Sequence, residues 1–300
     1  MFTFLVDEVI LSQHLGVEVP YPIRLFDLNC CGVDGHQFIS DILPSFSQLE
    51  WDLYTIKKEQ FDFLLRLFPE KCEQITDFFS EYYANHIPLE ALQRLLIDLD
   101  AGRCQYLQSI RPYRKRSIAS FDLFQEMPAQ EWIIAKRPLN TFTQSTDDYR
   151  MRPRAFSEMS NSIIDHVAFK NLLIYLAQLV QSIRPGIQCL QFICHQVSLV
   201  TSFNKPADNA PEGIHQDGAD YIVSALVIER RNVQGGTSII YGPDKQTRYL
   251  TVTLQPGQGL FQADQGSDLW HDVTPIVLEL NSSGGEGVRN ILGFDILIDR

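Results

Sequence analysis

The hydrophobic pattern divides the chain into a helical first half and a strand-rich second half. From about Glu59 to Leu99, apolar residues recur at steps of three and four, which is the spacing of amphipathic helices. A further helix is predicted from about Asn161 to Ile183, because Pro185-Gly186 follows it and stops helical structure. Residues 1–56 have no clear period, and residues 100–157 are predicted to mix loops and strands.

Beyond Gly186 the apolar period changes to two, with Gly and Pro turns between the runs. Strands gathered after helices favour an α+β fold over alternating βαβ units. The predicted core is a double-stranded β-helix, a jelly-roll or cupin-like barrel, buttressed by helices. Its predicted strands have the approximate bounds 189–201, 221–229, 237–241, 248–254, 259–263, 274–278 and 290–298.

The predicted organisation is a partly helical N-terminal region, residues 1–140, packed on a jelly-roll domain, residues 141–300. With 300 residues and 45% hydrophobic content, the chain can bury one large core. We therefore expect the two parts to form one compact unit, with the pocket at the mouth of the barrel.

Charge and hydropathy exclude several classes of partner. The formal net charge of −12 repels phosphate backbones, so no nucleic-acid partner is predicted. No apolar run approaches the roughly 18 residues of a spanning helix, and the start MFTFLVDEVI does not resemble a signal peptide. We predict no membrane partner and a cytoplasmic location. One basic cluster, Arg111 to Arg116 in RPYRKRS, is predicted as a solvated loop, with an anion or partner site as the alternative.

The strongest chemical motif is His215-Gln216-Asp217, since no other histidine is followed two places on by a carboxylate. In an extended segment, residues i and i+2 point to the same side, so both side chains can reach one metal ion. His271, beyond several predicted strands, supplies a third ligand if the sheet folds back. Two imidazoles and one carboxylate are typical of non-haem Fe(II) oxygenases. The alternative for His215 is a hydrogen-bonded structural histidine.

Arg289 is the candidate for binding a dicarboxylate cosubstrate. It lies at the start of the last predicted strand, in GEGVRNILGFDI. A guanidinium binds a carboxylate through two parallel, charge-assisted hydrogen bonds. The alternative is a surface arginine that flanks the strand.

Other enzyme classes lack their signatures here. No two histidines lie four apart, and the H-E-x-x-H, G-x-S-x-G, P-loop and G-x-G-x-x-G patterns are absent, which argues against the commonest zinc hydrolases, serine hydrolases and nucleotide-binding enzymes. His195 has no companion at ligand spacing and is interpreted as structural. A non-catalytic jelly-roll sensor that retains a metal site remains an alternative.

Three runs resemble 2-oxoglutarate- and Fe(II)-dependent dioxygenases similar to bacterial L-isoleucine 4-hydroxylase, a family of free amino-acid hydroxylases. These are PEGIHQDGADYIVSALVIERRNVQGGTSIIY, DLWHDVTPI and VRNILGFDI, and the resemblance covers about residues 145–298. It implies iron ligation by His215, Asp217 and His271, and 2-oxoglutarate binding by Arg289. It also implies a reaction with O₂ that hydroxylates an aliphatic C–H bond and releases succinate and CO₂.

For such a family, the expected partner is a small molecule, a free L-amino acid. Glu212 is the candidate contact for its ammonium group, and Arg150, Arg152 or Arg154 for its carboxylate. The alternatives are that Glu212 caps a turn and that the arginines near Pro153 are solvated. A peptide or a carrier-bound amino acid is the alternative substrate.

Overall fold

The computed structural model describes residues 22–94, 99–126, 131–138, 141–144, 152–280 and 285–299. Within these ranges the chain combines helices with antiparallel sheets. The strands of the described residues are, in chain order, β1 (Ile23–Asp27), β2 (Arg114–Glu126), β3 (Glu131–Arg137), β4 (Ser157–Glu158), β5 (Cys189–Ser202), β6 (Tyr221–Arg231), β7 (Val233–Gly235), β8 (Ser238–Tyr241), β9 (Arg248–Val252), β10 (Gln258–Ala263), β11 (Trp270–Val273), β12 (Ile276–Leu278) and β13 (Glu286–Ile298).

The larger sheet has the strand order β1-β10-β6-β13-β5-β2-β3. Neighbours in this order are antiparallel, and the short β4 lies parallel to β2. Its central strands are the long β5, β6 and β13, and most residues of β5 and β13 are buried. Both faces of these strands are covered, so polar residues such as Gln196 and Asp295 are buried within them.

Two smaller sheets complete the strand-rich half. One has the order β11-β8-β9, and the other pairs β12 with β7. Residues of β11 and residues of β2, β5, β6 and β13 line the same cavity. The cavity therefore lies between the larger sheet and the sheet that contains β11.

Three α-helices begin after an aspartate that accepts a hydrogen bond from the first turn of the helix. Asp34, Asp52 and Asp100 each accept a backbone N–H bond from the helix that they precede, as N-cap residues do. The α-helices of the described residues are α1 (Gly35–Ile42), α2 (Leu53–Leu67), α3 (Cys72–Tyr83), α4 (Ala101–Ser109), α5 (Asn161–Ile164) and α6 (Val167–Ile183).

Two groups of helices pack in different ways. The apolar face of α6 packs on the larger sheet, where Phe169 contacts Phe121 of β2 and Phe294 of β13. Helices α2, α3 and α4 instead form a second core around Leu64 and Phe79. The first group supports the sheet that carries the cavity.

The helical predictions agree with the structure in position but not in continuity. The region from Glu59 to Leu99 contains the end of α2, all of α3 and a 3-10 turn, Leu89–Arg94. The predicted helix 161–183 is divided into α5 and α6, because His166 leaves the helical conformation and its Nδ1 caps the second segment.

The seven predicted strands correspond to β5, β6, β8, β9, β10, β12 and β13, with small shifts at their ends. The sequence did not predict β11, which carries His271, or the short β7. The predicted solvated loop at Arg111 to Arg116 is wrong from Arg114 onward, because β2 begins there and Arg114 is buried.

The structure is a mixed fold of helices and antiparallel sheets, and its strand layout is consistent with a jelly-roll core. The division near residue 140 stays a prediction. Strands β1, β2 and β3, which precede it, pair within the same large sheet as β5, β6, β10 and β13.

Among the described residues, no helix is both long enough and apolar enough to cross a membrane.

Candidate metal centre and adjoining cavity

Backbone pairing brings His215 and His271 together. The two residues form an isolated antiparallel bridge, in which each N–H donates to the other's carbonyl oxygen over 3.0 Å. Their ring centroids are consequently 4.2 Å apart. Cross-strand partners place their side chains on the same side of a pair, so strand β11 supplies the third member of the predicted cluster.

Asp217 lies within reach of both imidazoles. Its Oδ1 is 3.4 Å from His215 Nε2, and its Oδ2 is 3.3 Å from His271 Nε2. One potential ligand atom from each residue lies within 4.8 Å of the others, so the three side chains could hold one metal ion. Although burial alone would raise it, the two imidazoles hold the pKa of Asp217 well below its usual range.

The first histidine is oriented by its own turn. His215 Nδ1 lies 2.6 Å from the carbonyl oxygen of Gly213. Because a carbonyl only accepts, Nδ1 carries the hydrogen and Nε2 offers its lone pair to a metal. Gly213 has a φ of 73°, in the left-handed region that glycine adopts without strain.

Gln216, the middle residue of the His215-Gln216-Asp217 motif, forms hydrogen bonds to the β10–β11 loop. Its Nε2 lies 2.7 to 3.1 Å from the carbonyl oxygens of Asp264, Ser267 and Leu269. The same loop leads directly into His271. The hydrogen bonds of Gln216 therefore fix the distance between the pair His215 and Asp217 and the third candidate ligand, His271.

Asp264 holds the other side of the turn. Its carboxylate is fully buried and accepts backbone N–H bonds from Asp217, Gly218 and Ala219 over 2.7 to 3.2 Å. Its Oδ1 also lies 3.8 Å from His271 Nδ1. Burial, and after it the Asp217 carboxylate, raises the pKa of Asp264. Nothing in the sequence pattern distinguished this residue from other aspartates.

Asp264→Ala is expected to lower the free energy of unfolding by about 3 kcal/mol or more, because buried N–H groups without acceptors are destabilised by about 1–3 kcal/mol each. We also expect Co(II) affinity to fall about 10- to 100-fold, as for partners that orient metal ligands. Urea unfolding and a Co(II) titration measure the two effects. Asp122→Ala, at an exposed surface pair, is the control. Unchanged Co(II) affinity would mean that Asp264 does not position the ligands.

Arg289 is buried, so the alternative that it is a surface arginine flanking the strand is wrong. It is 0% exposed, and none of its three guanidinium nitrogens has a hydrogen-bond partner among the described residues. Arg230 of β6 stands directly opposite it, and burial together with this second cation lowers the pKa of Arg289 to about 9. A buried guanidinium with three unpaired nitrogens is costly, and a bound carboxylate would satisfy it.

Gly236 makes room for this side chain. A Cβ atom built on Gly236 would lie 2.8 Å from Arg289 Cδ and 2.9 Å from its Nε, which is closer than van der Waals contact allows. A larger residue at position 236, the last of the turn at residues 232–236, would therefore collide with Arg289. Along β13, period two places Arg289 on the same face as Ile291, Gly293 and Asp295, and the last three line the cavity.

The cavity beside the metal cluster has an empty volume of about 700 Å³, counting its opening to solvent. Of the residues predicted to bind substrate, Glu212 and Arg154 line it. Glu212 Oε1 lies 3.4 Å from His215 Nε2. Arg154 is 1% exposed, so it is not solvated. Arg152 instead lies over the Tyr83 ring at 5.9 Å, and Arg150 is outside the described residues.

Arg154 connects to the metal cluster through Gln144. The guanidinium Nη2 donates to Gln144 Oε1 over 2.6 Å, and Gln144 Nε2 donates to Asp217 Oδ1 over 2.8 Å. Gln144 was not identified from the sequence. A hydrogen-bonded path of two side chains thus joins the basic wall of the cavity to a candidate metal ligand.

Sequence reasoning also missed three polar residues of the cavity wall, Arg114, Arg116 and His195. Arg114 forms a buried ion pair with Asp52, the N-cap of α2, over 2.8 Å. His195 was interpreted as structural, but it lines the cavity and lies 3.0 Å from Asp295 Oδ2. The sequence carried no signal for these residues, because the partners that hold them, such as Asp52 for Arg114 and Asp295 for His195, are distant in the chain.

Antiparallel sheets that place two imidazoles and one carboxylate beside a cavity are typical of non-haem Fe(II) oxygenases. Comparison with known proteins agrees with this class. The model of the 2OG-Fe dioxygenase family matches residues 102–295, about two thirds of the chain. The chain belongs to this family. It is an enzyme of a class that uses Fe(II), 2-oxoglutarate and O₂.

Solved structures are similar to this chain at low sequence identity. A bsmA homologue from Methylobium petroleophilum PM1 is 16% identical with a TM-score of 0.64, covering 98% of this chain and 94% of that one. IDO from Bacillus thuringiensis is 18% identical with a TM-score of 0.50, covering 62% and 79%. The Fe(II)/α-ketoglutarate-dependent dioxygenase TqaL is 17% identical with a TM-score of 0.46, covering 71% and 77%. No curated protein matches the sequence.

Proposed function

We propose that this dioxygenase hydroxylates an aliphatic C–H bond of a free L-amino acid and releases succinate and CO₂. The observation that carries the proposal is that one small cavity holds a carboxylate, Glu212, and a buried guanidinium, Arg154, beside the metal cluster. A free amino acid presents the complementary pair of charges. The resemblance to L-isoleucine 4-hydroxylase points to the same class of substrate.

We assign His215, Asp217 and His271 as the iron ligands. Their donor set, two imidazole nitrogens and a carboxylate, suits Fe(II) and leaves coordination positions open. Iron and cosubstrate, when bound, supply the oxidising chemistry of the reaction. The protein's share is to keep Nε2 of His215 available to the metal through the hydrogen bond from Nδ1 to Gly213 and to hold Asp217 ionised.

Arg289 is assigned to the far carboxylate of 2-oxoglutarate. The donor chemistry fits, because its unpaired nitrogens can donate two parallel bonds to one carboxylate. Arg230 opposite it adds a second positive charge to the same end of the site. Two cations at this end would favour a cosubstrate with a distal carboxylate over a monocarboxylic 2-oxo acid.

The substrate assignment follows the charges of the cavity wall. Glu212 would accept hydrogen bonds from the ammonium group, and Arg154 would donate to the carboxylate. The polar groups Glu212, Arg154 and His195 converge on one cavity beside the metal cluster, as polar groups do in small-molecule sites. This convergence favours a free amino acid over the peptide or carrier-bound alternative, which would need an extended groove.

We also propose that the chain forms one unit around a jelly-roll core. The larger sheet and the sheet with β11 would be the two faces of a jelly roll, a double-stranded β-helix. The described part of residues 1–140 would pack on this core as part of one unit, since β1 and β2 already pair in its sheet. A cytoplasmic location stays a prediction.

The test is succinate formation by the iron-loaded protein with 2-oxoglutarate, O₂ and a panel of free L-amino acids. We expect one or a few amino acids to stimulate succinate release and to gain 16 mass units, because oxygen inserts into a C–H bond. The same protein treated with a chelator is the control. Stimulation only by a peptide or a carrier-bound amino acid would favour the alternative substrate. Iron and 2-oxoglutarate binding without any succinate would favour the sensor.

A further inference from the structure

The side chain of Arg116, on β2, packs between two aromatic rings. Its guanidinium carbon lies 5.2 Å from the ring centroid of Phe142 and 4.9 Å from that of Phe156. Stacking between two aromatic rings orients a guanidinium plane and leaves its edge for hydrogen bonds. Arg116 lines the cavity beside the candidate metal centre. The guanidinium edge is therefore held ready for a ligand.

Part of the hydrogen-bonding capacity of Arg116 is unused within the described residues. Its Nη2 donates to His195 Nδ1 over 2.8 Å, and its Nε is buried without a partner among those residues. Among the described residues, no carboxylate lies within 4 Å of this guanidinium. Arg114 differs, since it is paired with Asp52. Burial, and then the nearby Arg114 and Arg154, lower the pKa of Arg116 to about 10.

His195 does not neutralise this charge. Its Nδ1 accepts from Arg116, and its Nε2 lies 3.0 Å from Asp295 Oδ2, so the hydrogen on Nε2 is donated to the carboxylate. Burial, with a contribution from Arg116, lowers the pKa of His195, and the ring is neutral. Asp295 thus fixes the tautomer that accepts from Arg116, but it lies one ring away from the guanidinium. The pair orients Arg116 without satisfying it.

We infer that Arg116 is the principal anchor for the substrate's carboxylate, with Arg154 beside it and His195 and Asp295 as positioning residues. This inference rests on the proposed amino-acid substrate and identifies the residue that selects it. A half-buried guanidinium whose Nε is buried without a partner among the described residues is matched by a carboxylate, which accepts two bonds from its edge. Glu212 lies on the wall next to His215 and remains the partner for the ammonium group.

The other charges of the cavity argue against a more highly charged anion. Asp295 and Glu212 line the same space as Arg116. A phosphate or a second carboxylate on the ligand would be repelled by these two groups. The wall therefore fits a ligand with one carboxylate and one cationic group, and this combination of charges is the specificity that we assign to it.

The test compares L-amino acids with the amines that they become without the carboxylate. Binding is measured by anaerobic calorimetry on protein loaded with Fe(II) and 2-oxoglutarate. Arg116→Gln is expected to weaken amino-acid binding about 10- to 100-fold, the loss of a charge-assisted hydrogen-bond pair, and to leave amine binding unchanged. Arg116→Lys, which keeps a charge without the fork, should lie between. Arg137→Gln, at an exposed surface pair, is the matched control.

Each outcome bears on the inference. Amino-acid affinity that is unchanged in Arg116→Gln but lost in Arg154→Gln would overturn it and leave the proposed function standing. An equal loss for amino acids and amines would also overturn it, because the carboxylate would not be what Arg116 recognises. No binding of any amino acid by the unmodified protein would overturn both. Affinity for 2-oxoglutarate reports whether each variant is folded. If Arg116→Gln does not fold, the comparison of amino-acid and amine binding is made with Arg116→Lys instead.

Discussion

His271→Ala is expected to abolish amino-acid-dependent succinate formation while the protein stays folded. Removing one of the three proposed ligands should weaken iron binding by more than the roughly 100-fold lost when a partner of a ligand is removed. The fold should persist because the bridge between His215 and His271 is made by backbone atoms, which alanine retains. The same loss of turnover is expected for His215→Ala and Asp217→Ala.

Three measurements separate chemistry from folding here. Succinate and product are measured under saturating Fe(II), metal affinity is measured with Co(II), and stability is measured by urea unfolding. His86→Ala, an exposed histidine paired only with Glu81 at the surface, is the matched control and should keep full turnover. Activity in His271→Ala equal to that of the control would remove His271 from the ligand set.

The sequence was sufficient to predict that His215 and Asp217 lie side by side, because they are only two residues apart. Residues i and i+2 of an extended segment share a side, so His215 and Asp217 needed no knowledge of the fold. The distance to His271 depends instead on register across two strands. The four residues Trp270–Val273 are too short and too polar for a strand to be predicted, although the histidine within them was identified.

The basic wall of the cavity could not be predicted for the opposite reason. Charged residues are rarely buried, so RPYRKRS was assigned to solvent. The structure buries Arg114 through an ion pair with Asp52, 62 residues earlier, and places Arg116 against two aromatic rings and His195. These partners are distant in sequence, and only the register of β2 against β5 brings them together. The same applies to Asp264, whose hydrogen bonds reach back to the turn at Asp217.

Arg289 shows how burial changes the meaning of a predicted residue. From the sequence, a cosubstrate anchor and a surface arginine were both open. The structure leaves Arg289 without exposed surface and directly opposite another arginine. Like charges on facing positions destabilise a sheet, so the pair would be most stable when an anion lies between or beside the two guanidinium groups.

Arg289→Lys is therefore expected to raise the apparent KM for 2-oxoglutarate about 10-fold or more, the loss of one strong charge-assisted bond. A lysine offers one nitrogen where the guanidinium offers two parallel donors. Burial beside Arg230 would also favour the neutral amine, whereas arginine keeps its charge. At saturating 2-oxoglutarate, kcat should change less than KM, because the proposed contact of Arg289 is with the carboxylate at the far end of the cosubstrate.

Binding without turnover gives the independent measurement. Bound 2-oxoglutarate at 100 times its Kd should stabilise the unmodified, Mn(II)-loaded protein by about 2.7 kcal/mol, seen as a rise in Tm under anaerobic conditions. Arg289→Lys should require about tenfold more 2-oxoglutarate for the same rise, whereas Arg137→Lys at the surface should behave as the unmodified protein does. An unchanged KM together with an unchanged Tm response would assign the cosubstrate's distal carboxylate to another cation, and Arg230 would be the first to substitute.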